Sequence, residues 1–183
     1  RIAEASRRPE TVVGMHFFSP VPRMPLLEVI AAPRTARETV VTAVALGRRL
    51  GKTVIVVQDW PGFFVNRILS PYLNEAGRLL VEGVRIEVLD GAMSRWGFPV
   101  GPITLLDEVG LAVAVKGGAV MHEAFGARLA PVADLSALIR AGRLGRKNGR
   151  GFLRYERGRK AGVDSTVYTD LGVTPGSAPP EGV

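Results

Sequence analysis

The first sixty residues alternate between strand and helix patterns, and the sequence after them reads as helix only. The β-branched run Thr53–Val57 predicts a buried strand, Thr11–Met15 predicts a short buried one, and Leu26–Ile30 predicts a third strand. A helical pattern separates Leu26–Ile30 from Thr53–Val57, as in part of an α/β sheet. The sequence therefore predicts an α/β segment followed by a helical domain, with the boundary near residue 60.

Helix boundaries can be read from residues that favour helix ends. Thr35-x-x-Glu38 has the form of a capping box, and Gly51 suits a left-handed C-terminal cap. The apolar positions expected to face inward from this first helix are Val40, Val41, Val44 and Leu50. Later helices are predicted at Phe63–Val81 with an internal Pro71, at Ile86–Trp96, after Pro102, at Val113–Phe125 and at Val132–Arg140.

Composition narrows the classes of protein and partner. At 183 residues and 46% hydrophobic, the chain can bury a core, and it lacks an apolar run of the roughly 20 residues that a membrane span requires. It contains no cysteine, which excludes disulfides and fits a reducing compartment, so we expect a cytoplasmic protein. The net charge of +7 concentrates between residues 140 and 160, without spaced aromatic residues, so we expect a solvated basic turn and no nucleic-acid partner.

One of the two histidines carries the strongest chemical signal. His16 lies at the end of a predicted strand, and Glu28 follows twelve residues later on the next one. A carboxylate on one imidazole nitrogen fixes the tautomer and stabilises the charged ring, which suits a general base. The alternative is a structural histidine before a proline-rich turn. We expect His122, which has no metal-ligand partner at suitable spacing, to be structural or exposed.

Ordered motifs around this pair resemble the 3-hydroxyacyl-CoA dehydrogenase family, in which a G-x-H-F-F-[NS]-P strand end carries the catalytic histidine. The matching segments are Gly14–Pro20, Leu26–Ile30 (L-x-E-V-I), Pro61–Arg67 (P-G-F-x-x-N-R), Gly97–Pro102 (G-x-P-x-G-P) and Gly145–Phe152 (G-R-K-x-G-R-G-F). The resemblance covers roughly residues 11–155.

The resemblance implies a fold and a division into domains. Residues 1–60 would be the C-terminal strands of a Rossmann-type NAD-binding domain, an α/β remnant. Residues 61–157 would be an all-α domain similar to the C-terminal domain of 6-phosphogluconate dehydrogenase, and residues 158–183 a linker or extended tail. In the same family pattern, Asp107 is expected to bond backbone or a neighbouring helix rather than to act in catalysis.

The resemblance also implies an activity. Family members oxidise L-3-hydroxyacyl-CoA to 3-ketoacyl-CoA with NAD during fatty-acid β-oxidation. By matching positions, His16 is the general base, Glu28 its partner, Asn66 a substrate contact and Ser19 a cofactor contact, and no metal is implied. Ser19 replaces the asparagine found in many members.

The chain lacks the G-x-G-x-x-G motif that cradles a dinucleotide. We therefore expect it to be a fragment, most similar to a multifunctional fatty-acid oxidation α subunit, that neither binds NAD tightly nor turns over alone. The alternatives are a non-catalytic assembly or acyl-CoA-binding module, and a monofunctional 3-hydroxybutyryl-CoA dehydrogenase. Expected partners are a second copy bound through the helical domain and, in the parent complex, a thiolase subunit.

Overall fold

A three-stranded sheet with one covering helix forms the first unit, which ends at Arg67. The computed structural model describes residues 2–176. Strands are β1 (Gly14–Phe17), β2 (Leu26–Ala31) and β3 (Thr53–Gln58), with helix α1 (Arg37–Arg49) between β2 and β3. β2 lies centrally, antiparallel to β1 and parallel to β3. β1 begins three residues later than predicted because Pro9–Thr11 forms a 3-10 turn instead of strand.

Small residues let α1 lie against the sheet. A Cβ atom on Gly47 would come within 2.7 Å of both Leu27 and Val54. The buried face of α1 therefore contains glycine and alanine, and the prediction that Val41 and Leu50 face inward is wrong, since both are more than half exposed. The core of this unit contains Leu27, Val29 and Ala43, with Val13, Met15, Phe17, Val40, Val44 and Val54 packed around them.

The predicted capping box at the start of α1 is also wrong. The N-cap is Ala36, and its side chain makes no capping bond. Thr35 Oγ1 instead accepts a hydrogen bond from the amide of Ala32 at 3.1 Å and donates one to the carbonyl of Val12 at 2.7 Å. A long-range backbone bond has taken the hydroxyl that the sequence pattern assigned to the helix end. Gly51, with φ of +72°, does follow the helix in the left-handed conformation that we predicted.

The second unit begins at Ile68 and is mostly helical. Its helices are α2 (Val65–Val81, which starts in the first unit and contains Pro71), α3 (Ile86–Trp96), α4 (Pro102–Val109), α5 (Leu111–Phe125) and α6 (Leu135–Arg140). Residues buried in its core include Leu80, Ile86, Ile103, Leu111, Leu138, Phe152 and Val167.

A hairpin and a helix end the described chain, where we expected a linker or extended tail. β4 (Leu153–Glu156) pairs with β5 (Arg159–Val163), and α7 (Thr166–Leu171) follows. Residues 158–171 fold because Val167 and Tyr168 are buried in the core, and the Tyr168 hydroxyl accepts a hydrogen bond from the amide of Ile86 at 3.0 Å. The rest of the predicted tail from residue 177 onward lies outside the described residues.

The basic segment is not wholly a solvated turn. The side chain of Arg143 is fully buried. Its guanidinium donates to Asp164 at 2.9 Å, to Asp170 at 2.6 Å and to the carbonyl of Gly151 at 2.7 Å. Arg143 thus joins the loop before β4 to the residues after β5, and only part of the positive charge predicted for the surface is available there.

Candidate active site

The twelve-residue spacing of His16 and Glu28 makes them direct partners across two antiparallel strands. His16 in β1 lies opposite Glu28 in β2, so both side chains project from the same face of the sheet. Their neighbours Phe17 and Leu27 point to the other face and contribute to the core. The imidazole Nδ1 and the carboxylate Oε2 are 2.7 Å apart, a short hydrogen bond.

Glu28 is fully buried, and its second oxygen is occupied as well. Oε1 accepts hydrogen bonds from the backbone amides of Phe64 and Val65, each at 3.0 Å. These amides open α2, where the helix dipole and unpaired N–H groups favour a negative charge. Burial without water is costly for a carboxylate, and three hydrogen bonds offset that cost.

This arrangement fixes the proton on the imidazole. Because both oxygens of Glu28 accept hydrogen bonds, the ionised carboxylate requires a donor at His16 Nδ1. The other ring nitrogen, Nε2, then carries a lone pair and faces away from Glu28. The His16 side chain is 30% exposed, so a small molecule can reach this ring. The pair has the geometry of a general base and the group that orients it.

A tight turn directs the α2 amides at Glu28. The carbonyl of Trp60 accepts a hydrogen bond from the amide of Phe63 at 2.9 Å, with Pro61 and Gly62 at the two central positions. Gly62 has a φ of +75°, as the third residue of a type II turn requires. Phe63, with a φ of +46°, continues the reversal into the helix.

Sequence patterns do not predict these two amides, because backbone groups have no residue-type signature. A signal was nevertheless present. Phe64 precedes the first residue of α2 and has no side-chain oxygen to cap the helix. These amides therefore need another acceptor, either water or a group from elsewhere in the fold, and Glu28 is that acceptor.

Asn66 and Ser19, the other predicted site residues, both come within three residues of this network along the chain. Asn66 is exposed in the first turn of α2, directly after Val65. Ser19 is exposed in the loop that follows β1. Ser19 lies three residues after His16, and Asn66 follows the residue whose amide donates to Glu28. Their roles toward cofactor and substrate stay predictions.

Lys52 holds the loop that contains Ser19. Its ammonium donates to the carbonyls of Val21 at 2.6 Å and Met24 at 2.8 Å. Gly51-Lys52-Thr53 resembles the end of a phosphate-binding loop, but here the lysine binds carbonyls of its own chain.

Two other titratable residues have structural roles. Asp107 is buried and accepts hydrogen bonds from the amides of Phe152 and Leu153, both at 2.9 Å. Burial raises the pKa of Asp107, and these amide bonds oppose that change. His122 is exposed on α5, with Nδ1 lying 3.0 Å from the carbonyl of Gly126. Within residues 2–176, no group of three or more acidic, histidine or cysteine side chains could hold a metal ion.

Comparison with known families identifies the chain. The family model described as 3-hydroxyacyl-CoA dehydrogenase, C-terminal domain, matches residues 62–155, and the model for the NAD binding domain of the same enzymes matches residues 1–60. The chain belongs to the 3-hydroxyacyl-CoA dehydrogenase family. This confirms the predicted resemblance and the predicted fold class of a Rossmann-type remnant followed by a helical domain.

Named relatives agree with this family. The fatty acid oxidation complex subunit alpha of Shewanella sp. (strain ANA-3) is 52% identical over 181 residues, which cover 96% of this chain and 26% of that protein. The corresponding protein of Shewanella oneidensis is also 52% identical, over 177 residues, with 96% and 25% covered. The chain therefore spans about a quarter of the length of these curated relatives.

Solved structures of family members share the fold. The (S)-3-hydroxybutyryl-CoA dehydrogenase of Ralstonia eutropha has a TM-score of 0.80 and 38% identity, covering 85% of this chain and 56% of that one. The 3-hydroxybutyryl-CoA dehydrogenase of Escherichia coli K12 has a TM-score of 0.79 and 39% identity, with 85% and 34% covered. Among residues 2–176, no helix is long and apolar enough to cross a bilayer.

Proposed function

We propose that this chain is the substrate-side half of the active site of an NAD-dependent L-3-hydroxyacyl-CoA dehydrogenase. The observation that supports it best is the buried Glu28 carboxylate, bound to His16 on one oxygen and to two helix amides on the other. The reaction is the oxidation of a 3-hydroxyacyl-CoA to a 3-ketoacyl-CoA in fatty-acid β-oxidation.

In this proposal His16 Nε2 removes the proton from the 3-hydroxyl group of the substrate. The imidazolium that forms keeps its Nδ1 proton on Glu28, and the buried negative charge stabilises it. In the reverse direction the same imidazolium returns the proton. Asn66 is the proposed substrate contact, since a carboxamide donates a hydrogen bond to a polarised carbonyl oxygen without titrating.

NAD is the proposed cofactor, and the chemistry that it would supply is the acceptance of hydride from C3 of the substrate. The residues present do not form a cradle for its pyrophosphate. Two segments connect a described parallel strand to a helix, residues 32–36 and 59–64. The first contains no glycine, and the second contains one, Gly62. We propose that the dinucleotide cradle belongs to a longer protein and that Ser19 is the contact supplied from this chain.

The longer protein that we propose is a multifunctional fatty-acid oxidation α subunit. The 52% identity to two such subunits exceeds the 38% and 39% identity to the two 3-hydroxybutyryl-CoA dehydrogenases. A monofunctional 3-hydroxybutyryl-CoA dehydrogenase is the nearest enzymatic alternative, and a non-catalytic assembly or acyl-CoA-binding module is the alternative from another class. A cytoplasmic location and a thiolase partner stay predictions.

We also propose that the helical domain forms a homodimer. One face of α5 presents Val113, Gly117, Val120 and Ala124, all exposed and spaced as neighbours on a helix. Val113 and Val120 are 59% and 52% exposed.

Light scattering should show that the wild-type chain is a dimer and that Val120→Glu is a monomer. A wild-type chain that is monomeric at high micromolar concentration would contradict this proposal.

The activity is tested with His16→Gln in the full-length protein. We expect NADH formation from a 3-hydroxyacyl-CoA to fall by about 100- to 10,000-fold, the usual contribution of a positioned general base. Calorimetric titration with NADH should show unchanged cofactor binding, and circular dichroism an unchanged fold. Retained turnover would remove His16 from the mechanism, and an inactive wild-type protein would favour the non-catalytic alternative.

A further inference from the structure

Two aromatic rings contact the imidazole of His16. The ring centroid of Phe18 lies 4.5 Å from that of His16, and the ring centroid of Phe63 lies 5.6 Å away. Both rings are tilted, by 48° and 53°, in the range of favourable aromatic pairs. Phe18 follows His16 closely along the chain, but Phe63 comes from the turn that begins α2.

The backbone of Phe63 is unusual for this residue type. Its φ of +46° lies in the left-handed region, which disfavours a residue with a Cβ atom. Glycine would meet the need of the turn without this strain, and Gly62 just before it does so at a φ of +75°. The backbone of the turn therefore gives no reason to have phenylalanine instead of glycine at this position. What phenylalanine contributes is its ring, which contacts His16.

The same turn acts on both members of the pair. The amides of Phe64 and Val65 hold Glu28, and the ring of Phe63 contacts the imidazole that Glu28 orients. One hydrogen bond at Nδ1 restrains the position of that nitrogen but does not by itself fix the orientation of the ring plane. A ring packed against the imidazole restricts that orientation.

We propose that Phe63 is a positioning residue that holds the imidazole plane so that His16 Nε2 points to the substrate while Nδ1 stays on Glu28. This inference rests on the proposed dehydrogenase function for its catalytic consequence. The ring contact itself does not depend on the substrate, so the two can be tested separately.

The test compares Phe63→Gly with Phe63→Tyr. Glycine removes the ring and relieves the left-handed backbone, whereas tyrosine keeps an aromatic ring on the same backbone. Long-range ¹H–¹⁵N spectra of the imidazole nitrogens are simple to assign, because the chain has two histidines and His122 serves as the internal reference. We expect all three forms to keep the His16 proton on Nδ1, because Glu28 is unchanged, and only Phe63→Gly to show His16 signals that are shifted or broadened by motion of the ring.

Stability and kinetics complete the test. We expect Phe63→Gly to remain folded, because relief of the left-handed backbone partly offsets the lost ring contacts and the greater freedom of the unfolded chain. In the full-length protein its kcat should fall by about ten- to a hundredfold with KM within about threefold, as for a displaced catalytic group. Phe63→Tyr should recover most of the wild-type kcat.

Two results would overturn the positioning role: unchanged His16 spectra in Phe63→Gly, or a kcat for that variant within about twofold of the wild type. If the full-length wild type has no dehydrogenase activity, the proposed function fails. The spectra, which require no substrate, then decide whether Phe63 positions His16.

Discussion

At the scale of single residues, the proposed chemistry depends on which nitrogen of His16 carries a proton. Glu28 fills both of its oxygens, one with the imidazole and one with the amides of Phe64 and Val65. An acceptor-only group opposite Nδ1 keeps the proton there and leaves Nε2 as the base. The helix amides thus influence the site without contacting substrate.

Substituting Glu28 by glutamine should reverse this proton arrangement. The glutamine oxygen can still accept the two helix amides, but its NH₂ group donates toward Nδ1 and shifts the proton of His16 to Nε2. We expect the fold to persist and kcat of the full-length protein to fall by about 100- to 10,000-fold. Imidazole ¹⁵N spectra of the chain should show the Nε2–H tautomer.

Glu28→Ala is the matched comparison for stability. It leaves the amides of Phe64 and Val65 without their acceptor and opens a cavity, so unfolding should require about 2–4 kcal/mol less than in the wild type. If Glu28→Gln lost as much stability as Glu28→Ala, the separation of orienting and structural roles would be wrong.

The sequence predicted the His16 and Glu28 pair because two side chains at strand positions carry residue-type information. It did not predict the Phe64 and Val65 amides, or the Phe63 ring, because those depend on a turn that lies more than thirty residues away along the chain. Lys52 was missed for the same reason, since its acceptors are carbonyl groups of a distant loop.

At the scale of secondary structure elements, the strongest differences from expectation occur where small or charged residues are buried. The side of α1 that faces the sheet contains Gly47, so a search for large apolar residues does not identify it. The hairpin β4–β5 was missed because its basic composition is typical of loops, and helix α7 was missed because six residues are too few to show a helical period. Long uniform patterns such as α3 were predicted to the residue, because Arg85 precedes and Gly97 ends a regular amphipathic run.

Arg143 should be essential to the stability of the hairpin and α7. Arg143→Ala leaves Asp170 without this cation and Asp164 with Arg150 alone, and loss of one member of a buried ion pair costs about 3–5 kcal/mol. Arg154→Ala, at an exposed position of β4, should change the free energy of unfolding by less than about 0.5 kcal/mol. Urea unfolding followed by circular dichroism measures both, and equal effects would contradict the buried network.

The network around Arg143 and Asp164 should make the free energy of unfolding depend on pH. Burial alone would raise the pKa of Asp164, but hydrogen bonds from Thr166, Arg150 and Arg143 lower it below its usual range. The unfolded chain then binds this proton first, so the stabilisation is present above about pH 4 and is lost as the pH falls further. Asp164→Asn should be less stable near neutrality and lose less on acidification, whereas parallel curves would argue against this assignment.

At the scale of the whole molecule, the chain contains the histidine and glutamate that we propose for proton transfer, and residues 2–176 include no G-x-G-x-x-G connection of the kind that cradles a dinucleotide. Its family models match NAD-binding and C-terminal domains, yet it spans about a quarter of the length of its curated relatives. The two family models match ranges that divide near residue 60, where we proposed the domain boundary. The division into compact units comes later along the chain, after Arg67 and inside α2. The proposed activity therefore belongs to the longer protein.

The 183-residue chain alone should bind NADH only weakly and should not turn over. The backbone amides of a G-x-G-x-x-G turn between a strand and a helix supply most of the contacts to a pyrophosphate, and this sequence contains no G-x-G-x-x-G. Titration of the purified chain with NADH, followed by fluorescence, should show no saturation in the micromolar range. Micromolar binding would show that the residues present suffice for the cofactor.

The central claim is that Glu28 contributes to catalysis only through His16. It is tested most directly by measuring kcat for four forms of the full-length protein: wild type, His16→Gln, Glu28→Gln and the double variant. If Glu28 serves only to orient and charge-balance the imidazole, the double variant should be no slower than His16→Gln alone, because the group that Glu28 acts through is already gone. Losses that multiply in the double variant would show that the two residues act independently, and would contradict the orienting role of Glu28.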